Sequence, residues 1–270
     1  ANNTLAIAYD TSAPVAVADT VTGTEDSLSL TGSVATNDTG KDGTETFSLV
    51  NGGTGAYGTL VLNANGSYTY NVTSNSALNA ITANVTETFA YKVTDALGNT
   101  STANLVVTLT PANDAPIISA TTNVALPTIQ VNAAAPANGD TTAGALVSDL
   151  FAAITDPDGA SVVKGIAITG VGHTGTLYYS LDGGTTWQTP GSTLSASNAL
   201  LLSGNARVYY KPTLNDTATW ADALWYRAWD QTDGKSVGTL TDTSANGGTN
   251  AYSTAFGKIG INMVPTIAFS

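Results

Sequence analysis

The carboxylates of this chain gather in short loops. Glu25-Asp26 follows an early proline, Pro14. Glu87 stands just before the segment Phe89–Val93, and Asp95 just after it. Asn113-Asp114 lies between Pro111 and Pro116. Asp156-Pro157-Asp158-Gly159 is a compact acidic turn, and Asp230 and Asp233 follow Trp229. Aspartates two apart, next to Asn amides and a turn glycine, put several hard oxygen donors into a small volume. A calcium ion takes roughly six to eight such oxygens, so these loops suit it. Asp, Asn and Gly are also ordinary turn formers, and for any single loop both readings stand.

Other chemistries are poorly supplied. There is no Cys, which removes disulfides, thiolate metal sites and thiol nucleophiles together. The single His, His173, argues against a Ser-His-Asp triad and excludes a multi-His metal site; it reads as a loop residue before a strand. Asp156/Asp158 and Asp230/Asp233 could be imagined as glycosidase pairs, but their turn-rich settings fit calcium better, and the chain reads as a non-enzyme. The formal charge is −12, with 8 basic residues, which argues against phosphate-based binding of nucleic acid and against anionic membrane surfaces. No apolar run reaches the roughly 18 residues of a membrane span. The chain begins at Ala1 and its only Met is Met263, as expected of a processed or excised piece of a longer protein.

The elements that must carry these loops are strands. Phe89, Tyr91 and Val93 alternate with Ala90, Lys92 and Thr94, and Leu105, Val107 and Leu109 alternate with Val106 and Thr108. This period of two marks half-buried strands. Leu60 and Leu62 precede, and Tyr68 and Tyr70 follow, the turn Asn63-Ala64-Asn65-Gly66, a hairpin signal. One stretch, roughly Thr142 to Ala153, carries helical spacing through Leu146, Leu150 and Phe151. The plan also repeats. Gly58–Gly66 matches Gly175–Gly183 at an offset of 117, which places Trp187 at Tyr70. Phe89–Asp95 matches Leu224–Asp230 at an offset of 135, so the second copy carries 18 extra residues in between. Proline-marked linkers at Pro14, at 111–116 and at 262–266 divide the chain. The expected layout is a preceding segment 1–13, β-sandwiches at 14–113 and 114–264, and the start of another segment at 265–270. The fold class is all-β, with two tandem sandwiches.

The order of landmarks carries a resemblance. Glu25 lies 11 residues past Pro14. Glu87-Thr88-Phe89-Ala90-Tyr91-Lys92-Val93-Thr94-Asp95-Ala96-Leu97-Gly98-Asn99 then runs on to Asn113-Asp114-Ala115-Pro116. Most of 14–116 resembles the cadherin repeat, and more closely the bacterial cadherin-like (VCBS-type) repeats of large RTX-type surface adhesins. The second domain, with Tyr179–Trp187 and Arg227–Thr232, looks like a longer module of the same adhesins. The resemblance implies Ig-like or cadherin-like sandwiches with Ca²⁺ clamped between successive domains. Glu25 and Glu87 would come from the lower end of domain one, Asn113 and Asp114 from the linker, and Asp156, Asp158 and Asp230 from the upper end of domain two. Pro111 and Ala115 stand where animal cadherins place further ligands, so one to three ions are expected. A second, incomplete site would use Asp38, Asp42 and Asp95 at the upper end of domain one. The linker at Asn262–Pro265 has no carboxylate, and calcium is less expected there. With Asp233, half of the 20 acidic residues fall at these places.

The implied function is a calcium-stiffened extender or adhesion segment on a bacterial cell surface, partnered by neighbouring domains of the same chain. A different reading rests on the four Trp residues, all between 187 and 229. If their face is outward, Trp220, Trp225, Arg227 and Trp229 could recognise a glycan or peptide on a host or biofilm surface. The opposing expectation is that the extra residues and the 142–153 stretch cover that face as a second core. A surface-layer subunit is a third reading of the same composition.

Overall fold

The computed structural model describes residues 12–73, 76–119, 124–159, 162 and 164–264. Nearly all of segment 1–13, Pro265 and the segment 265–270 lie outside them. The chain divides into two compact units, Ala1–Ala112 and Asn113–Ser270. Both are β-sandwiches. Among the described residues no helix is long and apolar enough to cross a membrane.

The first unit has seven strands: β1 Asp19–Thr24, β2 Ser29–Ser33, β3 Thr46–Leu49, β4 Gly58–Leu62, β5 Ser67–Val72, β6 Val85–Thr94 and β7 Thr100–Thr110. One sheet runs β1-β7-β6-β3 and the other β2-β5-β4. The period-two residues of the sequence face each other across the gap. Phe47, Phe89, Tyr91, Val93, Leu105, Val107 and Leu109 come from the first sheet, and Leu60, Tyr68 and Tyr70 from the second. Burying one such apolar side chain is worth about 1.5–3 kcal/mol, so these rows dominate the stability. The β4–β5 hairpin closes through Asn63 and Gly66, with Gly66 at φ 85°, a conformation an L side chain resists. The register of the long ladders places the loops: β1 runs parallel to β7 with Thr24 opposite Thr110, and β6 lies antiparallel to β7.

The second unit is built on a six-stranded sheet. Its order is Leu240–Thr241, Ala199–Ser203, Gly165–Val171, Trp220–Trp229, Gly257–Ile261 and Val124–Ala125. A three-stranded sheet, Ala145–Leu146, Arg207–Lys211 and Thr176–Ser180, packs over one face. The extra residues of this copy include Ala199–Ser203 and Arg207–Lys211, which put one strand into each sheet. Hence Thr176–Ser180 pairs along its length with Arg207–Lys211, and the expected hairpin at Asp182-Gly183 reduces to a bridge between Tyr179 and Gln188. The 142–153 stretch is strand at Ala145–Leu146 and a 3₁₀ helix at Val147–Ala153. Val147, Leu150 and Ala153 fill the main core, so this stretch does not cover the tryptophan face.

That face is covered by a different segment. Trp229 is 0% exposed and packs with Ala167, Ala199, Leu201, Ala251 and Tyr252, with Val237 at the margin. The six-stranded sheet is therefore buried on both faces. This explains why Gly165–Val171 and Ala199–Ser203 read as continuous apolar runs without alternation.

Candidate metal centre

The start of the second unit gathers five of the expected ligands. The Asp114 N–H donates to Asp158 Oδ2 at 2.9 Å, and carboxylate oxygens of Asp114 and Asp158 lie within 4.8 Å of each other. The Asp158 N–H donates to Asp156 Oδ1 at 3.0 Å. Asn113 Nδ2 donates to Asp230 Oδ2 at 3.0 Å and to the Thr249 carbonyl at 3.3 Å. Asp230 is itself fixed, since its Oδ1 accepts from Thr232 N at 2.8 Å and Thr232 Oγ1 at 2.6 Å. The local fold explains the meeting. The Ile154–Thr155 strand pairs with Ile117–Ile118, which brings the Asp156–Asp158 turn to the segment that carries Asp114. Trp220–Trp229 ends with Asp230 at the same end of the unit.

The donors suit a hard cation. All are oxygens of Asp and Asn. Asp156 Oδ2 is buried and, among the described residues, accepts no hydrogen bond. Burial pushes the Asp156 carboxyl up to about 6, and the charges of Asp158 and Asp230 add to the rise. A buried acceptor held among like charges costs free energy that a bound cation would offset.

Glu25 sits where β1 runs out beside β7. Its N–H donates to the Thr110 carbonyl at 3.1 Å, and its Oε1 accepts from Ala112 N at 2.9 Å. Glu87 is used inside the first unit. Its carboxylate accepts from Tyr57 N at 2.9 Å, from Ala56 N and from the buried Tyr70 hydroxyl. Replacing Glu87 with Ala strands that phenol, so we expect a loss of about 1–3 kcal/mol in the first unit, read by urea denaturation. A loss under about 0.5 kcal/mol would sink this role.

At the other end of the first unit, the partner brought to Asp38 is Asp19, which the sequence pattern hid at the start of a strand. The Tyr91 hydroxyl lies 2.8 Å from the Val17 carbonyl, 3.0 Å from Asp19 Oδ2 and 3.2 Å from Asp38 Oδ1. With the Val34 carbonyl at 3.5 Å, it has one proton for four acceptors. Asp38 Oδ1 also accepts from Val17 N at 2.7 Å, while its Oδ2 is buried and without a hydrogen bond among the described residues. Burial raises the Asp19 pKa, and the Asp38 charge adds to it. Asp42 and Asp95 close their own loops. Asp42 Oδ1 accepts from Thr44, and Asp95 accepts from Leu97 N, Asn99 N and Asn99 Nδ2.

Most of the tryptophan face expected to meet a ligand is buried. Trp229 cannot touch a ligand, because the 237–252 segment buries it. Arg227 is also buried: it donates to the Ser253 and Thr254 carbonyls, both at 2.6 Å, and lies 4.0 Å from the Phe256 ring centre. Asp233 is engaged here too, accepting from Trp229 Nε1 at 3.0 Å and from the Tyr252 hydroxyl. Trp220 is half-buried under His173, with ring centres 3.6 Å apart. Trp225 alone stays open, at 41% exposure.

A seven-stranded sandwich with acidic residues at both ends defines a cadherin-like module. Residues 11–111 match the bacterial cadherin-like domain. Such domains are adhesion or extender modules, and cadherin domains generally bind calcium. No curated protein matches the sequence. Among solved structures, protocadherin gamma B7 extracellular cadherin domains 1–4 align over 96% of this chain and 52% of that one, at 11% identity and TM-score 0.43. Drosophila N-cadherin EC1-4 aligns over 92% and 49%, at 17% identity and TM-score 0.43. The human desmocollin-1 ectodomain aligns over 96% and 43%, at 10% identity and TM-score 0.47. The chain thus spans about half the length of these structures.

Proposed function

We propose that the chain is a calcium-stiffened extender and adhesion segment of a large bacterial cell-surface adhesin of the RTX type, and that it works outside the cell. The observation that supports this most is the set Asn113, Asp114, Asp156, Asp158 and Asp230, in which Asp156 Oδ2 is buried and, among the described residues, accepts no hydrogen bond. These residues would hold Ca²⁺, and Glu25 is the further ligand the family pattern adds. Bound calcium supplies positive charge that cancels carboxylate repulsion. The chain's own part is to fix the ligands in place. The Thr232 donors hold Asp230, and the Asp158 N–H holds Asp156, so little ordering remains to be done on binding. The Asp19–Asp38 pair would serve a second ion.

The test compares calcium with EDTA. With calcium, scattering should report a smaller spread of shapes and calorimetry a higher melting temperature for the second unit. Glu25→Gln reads whether the first unit contributes a ligand, through a weaker calcium affinity. Identical profiles and melts in the two buffers would end the proposal.

A further inference from the structure

Trp225 stands out because its neighbours on the same strand face, Arg227 and Trp229, are buried and it is not. The sheet leaves space beside it. Across one ladder its partner is Gly170, and across the other it is Lys258. The pairing slips next to Gly170, and again between Trp220 and Leu224, so both sides of this stretch are irregular. A Cβ at Gly170 would meet nothing nearer than Trp225 Cβ at 3.9 Å. The result is a hollow of about 290 Å³ lined by Gly170, Val171, Gly172, His173, Asp222 and Trp225. A second hollow of about 640 Å³ shares Gly170, Val171 and His173 with it.

Polar groups are fixed around this indole. His173 holds φ 58°, an uncommon conformation for a residue with a side chain. It is kept there by stacking on Trp220 and by donating from Nε2 to Asp222 Oδ1 at 3.0 Å. Gly172 lets its loop lie against the strand, donating to the Ala223 carbonyl at 2.8 Å where a Cβ would strike the Asp222 carbonyl. The His173 hydrogen bond holds the Asp222 carboxyl below its ordinary range, so it is an ionised acceptor at neutral pH. Lys258 Nζ lies 3.8 Å from Asp222 Oδ2 and 5.2 Å from the Trp225 ring centre. Backbone strain and irregular pairing of this kind persist only where the surroundings hold them, and they cluster at binding sites.

We propose that this hollow binds a pyranose saccharide, with the C–H face of one ring on Trp225 and its hydroxyls on Asp222, His173 and Lys258. A flat aromatic ring flanked by a carboxylate, an imidazole and an ammonium matches a ring that is apolar on its faces and polar at its rim. A peptide fits worse. The strand carrying Trp225 is paired on both sides, so no free edge is offered, and the hollow holds one aromatic anchor instead of a row of apolar pockets. The site lies wholly in the second unit and does not rest on calcium.

The intact chain should be screened on a glycan array, and hits titrated by tryptophan fluorescence in calcium and in EDTA. Trp225→Ala should weaken binding at least tenfold with an unchanged melt, because this side chain is outside both cores. Gly170→Val, which keeps Trp225 but fills the hollow, should do the same. Asp222→Asn should weaken binding less. The proposal is overturned by an array without hits, by hits that Trp225→Ala leaves unchanged, or by capture of peptides in place of glycans through Trp225.

Discussion

Trp229→Ala is expected to destabilise the second unit by about 3–5 kcal/mol, the range for removing a fully buried large aromatic. The indole is the largest side chain of a second, small core, so its loss leaves a cavity that few neighbours can refill. It is also keyed in by its partner strand. Trp229 lies opposite Gly165, and a Cβ at Gly165 would come within 2.8 Å of the ring. Its Nε1 donates to Asp233, which also accepts from Tyr252, so the truncation breaks a shared polar contact as well. Trp225→Ala, four residues earlier on the same strand face, should cost under about 0.5 kcal/mol. Chemical denaturation of the two variants measures the contrast. Equal small losses would mean that the 237–252 segment does not pack as described.

The second large effect concerns protons and calcium at Asp156. Its carboxyl is raised to about 6 from an ordinary 3.8, so the folded metal-free chain binds a proton that the unfolded chain has released. Stability of the metal-free chain should therefore fall as pH rises from about 4 to about 6, and stay at the lower level above that. Below both values the penalty is absent. Calcium held as proposed would reverse the dependence, because it would compete with the same proton. Its affinity should fall by roughly tenfold per pH unit below about 6, and level off above. Asp156→Asn should flatten the metal-free profile and weaken calcium binding at pH 7.5 by at least about tenfold, since it removes the proposed carboxylate ligand. Thermal melts in EDTA and calcium titrations across pH 5–8 read both halves. A flat metal-free profile would overturn the assignment.

The first unit was largely legible in its sequence because its sheets each bury one face. Phe89, Tyr91 and Val93 on β6 and Leu105, Val107 and Leu109 on β7 alternate, and all six are buried. The second unit hid more. Its central sheet is covered twice, so Gly165–Val171 carries no alternation, and the cover near Trp229 comes from a Gly- and Thr-rich segment without apolar period. The repeat located Thr176–Ser180 but misled on its partner, because inserted residues intervene and pair with it first. At the candidate metal centre, Asp-Pro-Asp-Gly and Asn-Asp carry their meaning in short-range turn chemistry, which sequence displays. Asp19 does not, since its meeting with Asp38 depends on where Tyr91 points.

The parallel pairing of first and last strands has a mechanical consequence. In the first unit β1 lies along β7 over six residue pairs, entering at one end of the ladder while β7 leaves at the other. The second unit repeats the device, with Val124–Ala125 along Gly257–Ile261 and Ile129–Gln130 along Met263–Val264. Tension applied through the chain ends pulls such neighbours lengthwise past each other, so their cross-links must yield together instead of opening one by one like a zipper. Pulled from its two ends, a strand pair wired this way is loaded in shear along all of its hydrogen bonds at once.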